Sequence, residues 1–305
     1  MPPELTDFTE QITLTPYQSI GIPIALVGAV FLSLGAQFQH RGVTHVEESH
    51  GDGEKAGLSI RQLMHLLARP SWVVGTLLLG LAILFQLSSL GFAPLIVVQP
   101  LGVVALVITA VLNARVSKIK LDRHAIRAIA MCVSGVGIFV AIAAVYAIEQ
   151  EITEVQLLVV LGIRGLVLAA FGVTFAFARR HVGAMFYIIG AGVLFGFVAT
   201  LAKVVINRIL NNNFEGLTVV AIVALLASAA LGSYFVQTAY SVGSPDLVIA
   251  GLTVVDPLVA VLIGVVVLGE ASLIPPAFAI VAVVAGAVAI LGVLQLAKHH
   301  PQTHR

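Results

Sequence analysis

Charge is scarce in this 305-residue chain: aspartate, glutamate, lysine and arginine together make up only 10% of it. Soluble domains carry about 25% charged residues, so the shortage excludes an ordinary soluble globule. Cysteine is scarcer still. The single Cys132, set in an apolar segment, rules out a disulfide framework or a cysteine metal cluster and reads as a small core residue. No phosphate-binding G-x-x-x-x-G-K-[ST] loop is present, so direct ATP drive needs another subunit. A paired nucleophile and base and a two-histidine zinc helix are also missing, and neither an enzymatic activity nor a cofactor is expected. The N-terminus, "MPPELTDFTEQITLTPYQ", begins acidic and lacks the basic start of a secretory signal, so none is expected.

Apolar sequence fills the space that charge leaves: 59% of the chain is hydrophobic and the mean hydropathy is +1.06. A helix needs about 20 apolar residues to cross the hydrocarbon core. Nine segments qualify, at 18–38, 72–92, 94–113, 125–148, 156–178, 182–207, 217–239, 246–269 and 275–297. The fold class expected is therefore an all-α integral membrane protein of about nine transmembrane helices. The narrowest division is the "GFAP" between the second and third, where Pro94 supports a tight re-entry.

Lysine and arginine concentrate on one side of this arrangement. Arg41, Lys55, Arg61, Arg69, Arg115, Lys118, Lys120, Arg123, Arg179, Arg180, Lys298 and Arg305 lie in the odd-numbered connections and the C-terminal tail, against Arg208 on the other side. The positive-inside rule then puts the C-terminus in the cytoplasm and the N-terminus outside, in the plasma membrane. The outer side is acidic, with Glu4, Asp7, Glu10, Glu149, Glu151, Glu154 and Glu215. The long cytoplasmic connection, 39–71, is expected to be polar and mobile in its first part. Over 58–69 it reads as a surface amphipathic helix capped by Ser59 and Gln62 and stopped by Pro70.

The chain rhymes with itself. "GFAPLIVVQPLGVVALVITAVLNARVS" (91–117) and "GSPDLVIAGLTVVDPLVAVLIGVVVLGEAS" (243–272) share a proline-marked entry, a mid-helix polar-Pro-Leu, small residues and a polar exit, with Gln99-Pro100-Leu101 matching Asp256-Pro257-Leu258. Two four-helix repeats, 18–148 and 182–297, then flank a linking helix at 149–181, with an outer tail at 1–17 and a cytoplasmic tail at 298–305. An odd linking helix inverts the second repeat relative to the first. The two matching helices then run in opposite directions, so their prolines are expected at similar depth.

Asp256 carries the strongest chemical signal. It is the one charge between Leu247 and Gly269, and nine residues at 1.5 Å put it about 14 Å into its helix. An ionised aspartate at that depth costs roughly 2.5–3.5 kcal/mol, so it must face protein or water, find a partner or keep a proton. Pro257 frees the carbonyl of Thr253 beside it. Pro100 does the same in the third helix, and both prolines are candidate hinges. Thr253 shares the helical face of Asp256; Gln99 and Asn113 line one side of the third helix. Lys203 is the remaining substrate-binding candidate, able to meet an anion, pair with Asp256 or snorkel to the outer surface. Arg164 lies in the linking helix, where contact with a solute is the weaker alternative. In the cytoplasmic loop, His45, Glu47, Glu48 and His50 form a weak candidate metal site of no strong spacing, against the plainer alternative of a solvated polar loop.

Residues 239–293, with Pro257, the exit Leu268-Gly269-Glu270 and a following helix of small residues, resemble the drug/metabolite transporter superfamily (EamA-like). Residues 72–112, "WVVGTLLLGLAILFQLSSLGFAPLIVVQPLGVVALVITAVL", resemble its NIPA-type branch in "FAP" followed by V-polar-Pro-Leu. The resemblance implies an alternating-access carrier, and the NIPA branch implies magnesium transport. Departures are nine helices where the larger members have ten, Asn113 where the second half has Glu270, and no acidic residue in the first helix.

Two functional classes follow. One is a permease for a small metabolite or a divalent cation such as Mg2+, working around a mid-membrane site. The other is a non-transporting membrane scaffold that binds lipids or partner proteins through its cytoplasmic loop. The partners expected are a small solute or Mg2+, membrane lipids and, as an assembly, a homodimer; nucleic acid is not among them.

Overall fold

The computed structural model describes residues 16–50, 70–116, 122–178, 183–243 and 245–298. Among them are nine helices and no strand: α1 (Pro16–His50), α2 (Pro70–Phe92), α3 (Leu95–Val116), α4 (Arg123–Tyr146), α5 (Glu154–Ala178), α6 (Ala184–Leu210), α7 (Gly216–Val242), α8 (Pro245–Val266) and α9 (Pro276–Lys298). All nine contain a stretch long and apolar enough to cross a membrane. The chain is a multi-pass membrane protein. Proline opens α1, α2, α8 and α9, at the position where its missing N–H and fixed φ cost least. Asp122 caps α4, accepting from the Ala125 N–H at 2.7 Å.

The helix α1 departs from the loop expected over residues 39–50, because its backbone stays helical to His50. That stretch contains no proline, and its one glycine, Gly42, costs only about 1 kcal/mol in a helix. The surface helix expected at 58–69 lies outside the described residues.

Glycine sets the closest helix contacts. Gly28 and Gly35 on α1 abut Phe85 and Leu79 of α2, while Gly75 of α2 faces the α1 backbone at Gln39, so the two helices meet almost backbone to backbone. Gly192 and Gly196 of α6 give the same close approach to α8, where an added Cβ stands 2.6–2.7 Å from the Cβ atoms of Val255 and Val259. Between α4 and α9 the contact passes through Gly135, Gly292 and the buried Cys132, consistent with that thiol serving as a small packing residue.

These contacts organise the bundle. α1 packs on α2 and α3, and α3 on α4; α6 packs on α7 and α8, and α8 on α9. The two groups meet through α3 against α8, α4 against α9, and α2 against α6. α3 and α6 are the most enclosed spans and α5 the least, touching α6 and α7 lightly. Outward faces carry large apolar side chains such as Leu77, Leu84, Leu166, Val223 and Val283, as a hydrocarbon solvent requires. Glu149, Glu151, Glu154 and Glu215 gather at one end of the bundle, its acidic end.

Candidate functional site

A cavity of about 370 Å³ lies among α1, α2, α3 and α8. Its polar wall is made by Gln86, Gln99, Thr253 and Asp256, and its apolar wall includes Ala29, Leu32, Ile83, Val103, Leu252 and Pro257. Among the described residues, Asp256 is the one ionisable residue on it. The aspartate Oδ1 is buried and has no hydrogen-bond partner among the described residues. Thr253 commits its proton to the Ile249 carbonyl, 2.8 Å away, which leaves its oxygen as an acceptor. Gly192 and Gly196 hold α6 against the backbone of Asp256 from behind, so the carboxylate sits on a closely packed helix pair.

Helix register fixes the depth of these groups. A Cβ on Gly264 would lie 3.3 Å from the Leu95 Cβ, and α3 and α8 are antiparallel. Gln99 is then level with Ala260, and Asp256 with Val103, an offset of one turn or about 6 Å. By the same register Pro100 is level with Val259, two residues or about 3 Å from Pro257, and both prolines line a second cavity. Both prolines sit inside continuous helices.

Lys203 is placed elsewhere. It is 2% exposed, and its Nζ donates to the carbonyls of Leu90 at 2.7 Å and Ala93 at 3.1 Å and to the Glu149 carboxylate. Its partner is thus Glu149, not Asp256, because α6 presents it to the end of α2 rather than to the cavity. Beside it lies Glu270, whose two oxygens accept the first N–H groups of α3, Leu95 and Ile96, each at 2.8 Å. A cation thus meets the carbonyl end of α2 and an anion meets the amide end of α3, each matching the helix dipole. Burial pushes the Glu270 carboxyl up from its ordinary value; the Ile96 and Leu95 N–H groups and the Lys203 ammonium pull it down, and Glu149 adds to the rise. Gly269, at φ 73°, supplies the left-handed turn that aims Glu270 inward.

Asn113 remains on α3 but ten residues from the Asp256 level, about 15 Å toward the opposite end, and does not line the cavity. Arg164 donates from Nε to the Ser228 hydroxyl at 2.6 Å, tying α5 to α7. Arg208, also buried, donates to Thr218 at 2.9 Å and lies 3.8 Å from Glu154. The side chains of His45, Glu47, Glu48 and His50 lie outside the described residues.

Sequence reasoning missed Gln86, which reaches the cavity from α2. The signal was available, since it is the one amide in "LLLGLAILFQLSSLG". It also missed Glu149, whose pairing depends on a fold that brings the α4–α5 connection over α6.

No family model matches the chain, and no solved structure matches it. An uncharacterized protein of Corynebacterium glutamicum is similar to it, 26% identical over 252 residues that cover 82% of this chain and 85% of that protein.

Proposed function

We propose that this chain is a secondary permease of the kind it resembles at residues 72–112 and 239–293, the drug/metabolite transporters. It moves a small solute by alternating access around the cavity at Asp256. The observation that carries this reading is the Asp256 carboxylate, whose buried Oδ1 has no hydrogen-bond partner among the described residues, on a cavity within the span of a membrane helix, a costly arrangement that structural packing does not require.

The helix contacts support an inverted repeat of α1–α4 and α6–α9 about α5. Each contact within the first group has its counterpart in the second: α1–α2 with α6–α7, α1–α3 with α6–α8, α3–α4 with α8–α9. α3–α8 and α4–α9 are the self-matching pairs expected on a pseudo-twofold axis. The symmetry fails at one place. α2 packs on α6, whereas α7 and α1 make no comparable contact among the described residues. That asymmetry favours a state closed at the acidic end, where Lys203 fastens α6 to α2, and open at the other. With basic residues on the cytoplasmic side, this is the inward-facing state.

Transport into proteoliposomes of wild type and Asp256→Asn tests the proposal, using Mg2+ and a panel of amines, amino acids, nucleosides and organic acids. Flux that the substitution abolishes in a still-folded protein is expected. Normal flux in Asp256→Asn removes the site, and no flux of any solute favours the scaffold.

A further inference from the structure

The charge on the cavity wall narrows the solute further than the fold does. α1 and α2 contribute Gly28, Ala29, Leu32, Ala82, Ile83 and Gln86, and α3 and α8 add a second amide, a hydroxyl and one carboxylate. Neither membrane-embedded cation considered from the sequence faces this wall. Lys203 is engaged by two carbonyls and Glu149, and Arg164 by Ser228. An anionic solute entering the cavity therefore meets a carboxylate with no positive side chain among the described residues to offset it. A neutral solute leaves the buried Oδ1 without a counter-charge.

A dication fares little better. One carboxylate leaves it with a net positive charge in a low-dielectric surround, where uncompensated charge is most expensive. Mg2+ also demands six oxygens in near-octahedral geometry and gives up its waters reluctantly. Here the Gln99 amide stands one turn away from Asp256, and much of the remaining wall is hydrocarbon. Retained waters would have to lie against Leu32, Ile83, Val103 and Leu252, whose surfaces offer them no hydrogen bonds.

A singly charged organic cation meets each of these conditions. We propose that the cavity takes a small organic monocation, its ammonium group on Asp256 and its apolar body against Leu32, Ile83 and Leu252, with Gln86 and Gln99 free to bond a second polar group. This rests on the permease reading for its biological sense, but the binding chemistry is testable without transport. A volume of about 370 Å³ sits at the small end of the pockets that hold organic ligands, which limits the body to a short chain or single ring. The site assigned here departs from the magnesium that the NIPA resemblance implies.

The test is calorimetric titration of the purified full-length chain in lipid nanodiscs with n-butylammonium, n-butanol, butyrate and Mg2+. Saturable binding of n-butylammonium is expected, at least tenfold tighter than n-butanol, with none for butyrate or Mg2+. Asp256→Asn should weaken n-butylammonium binding tenfold or more, and Leu32→Ala severalfold. Asp256→Glu, which keeps the charge, should retain most of it and guards against a folding artefact. Mg2+ binding that depends on Asp256 and exceeds that of n-butylammonium overturns the proposal, as does equal affinity for n-butanol or no n-butylammonium binding to the folded protein. Counterflow in proteoliposomes separates the two claims. Binding without movement leaves the cation site standing and sinks the permease; Asp256-dependent flux of a neutral or anionic solute does the reverse.

Discussion

Replacing Lys203 with methionine tests whether the acidic end is fastened as described. Lys203 is 2% exposed and its ammonium donates to Leu90, Ala93 and Glu149, so its removal orphans two carbonyls and one carboxylate at once. A buried acceptor left without a donor costs about 1–3 kcal/mol. Two such carbonyls set a loss of about 2–6 kcal/mol. The side chain of Glu149 is 30% exposed and regains water, so its share stays near the roughly 1 kcal/mol of a surface pair. Methionine keeps most of the buried stem, and the desolvation of the ammonium, no longer incurred, offsets part of the loss. The net expectation is a destabilisation of about 3 kcal/mol. Reversible unfolding in mixed detergent micelles measures it, and a cycle with Glu149→Gln separates the ion pair from the carbonyl bonds. Glu149→Gln alone should cost less, because Lys203 keeps both carbonyls. A Lys203→Met protein within about 0.5 kcal/mol of wild type would mean that the ammonium is not at the end of α2, and the closed acidic end would lose its support. Binding at Asp256 should survive the substitution within twofold, since Lys203 does not touch the cavity.

Two further outcomes follow from the same contacts. Gly196→Leu puts a side chain where even a Cβ lies 2.7 Å from Val259, so α6 and α8 must separate; a loss of about 1–3 kcal/mol or more is expected in the same unfolding assay, together with lost solute affinity. Because burial raises the Glu270 carboxyl, the native chain binds more protons than the unfolded chain just above the ordinary value of 4.5, and stability should fall as pH rises through that window. Melting temperatures of wild type and Glu270→Gln across pH 4–8 measure this, and identical pH profiles for the two proteins count against it.

Much of the architecture was legible in the amino-acid order. Runs of about 20 apolar residues have one solution in a bilayer, a hydrogen-bonded helix, so the nine spans could be counted from hydropathy alone. The place of Asp256 near the middle of its helix was legible for the same reason, because helical rise converts sequence distance into distance along the axis. The break at Pro94 was announced by an imino acid that cannot continue a hydrogen-bonded turn.

Side-chain partnership was not legible, and Lys203 makes the reason concrete. From the sequence it could meet an anion, pair with Asp256 or reach for the membrane surface, all of them compatible with its position on α6. Only the packing of α6 against α2 brings it to Leu90 and Ala93, and only the connection before α5 brings Glu149 to it. Glu270 likewise read as part of a family-like exit, while its contact with the first amides of α3 spans 175 residues of sequence. Composition and periodicity determine what a segment must bury and how deep each residue lies, because those quantities follow from one helix and its solvent. Which charge meets which, and therefore that Asp256 is left facing the cavity, depends on rotations and registers between helices, and those are settled only when all of them pack together.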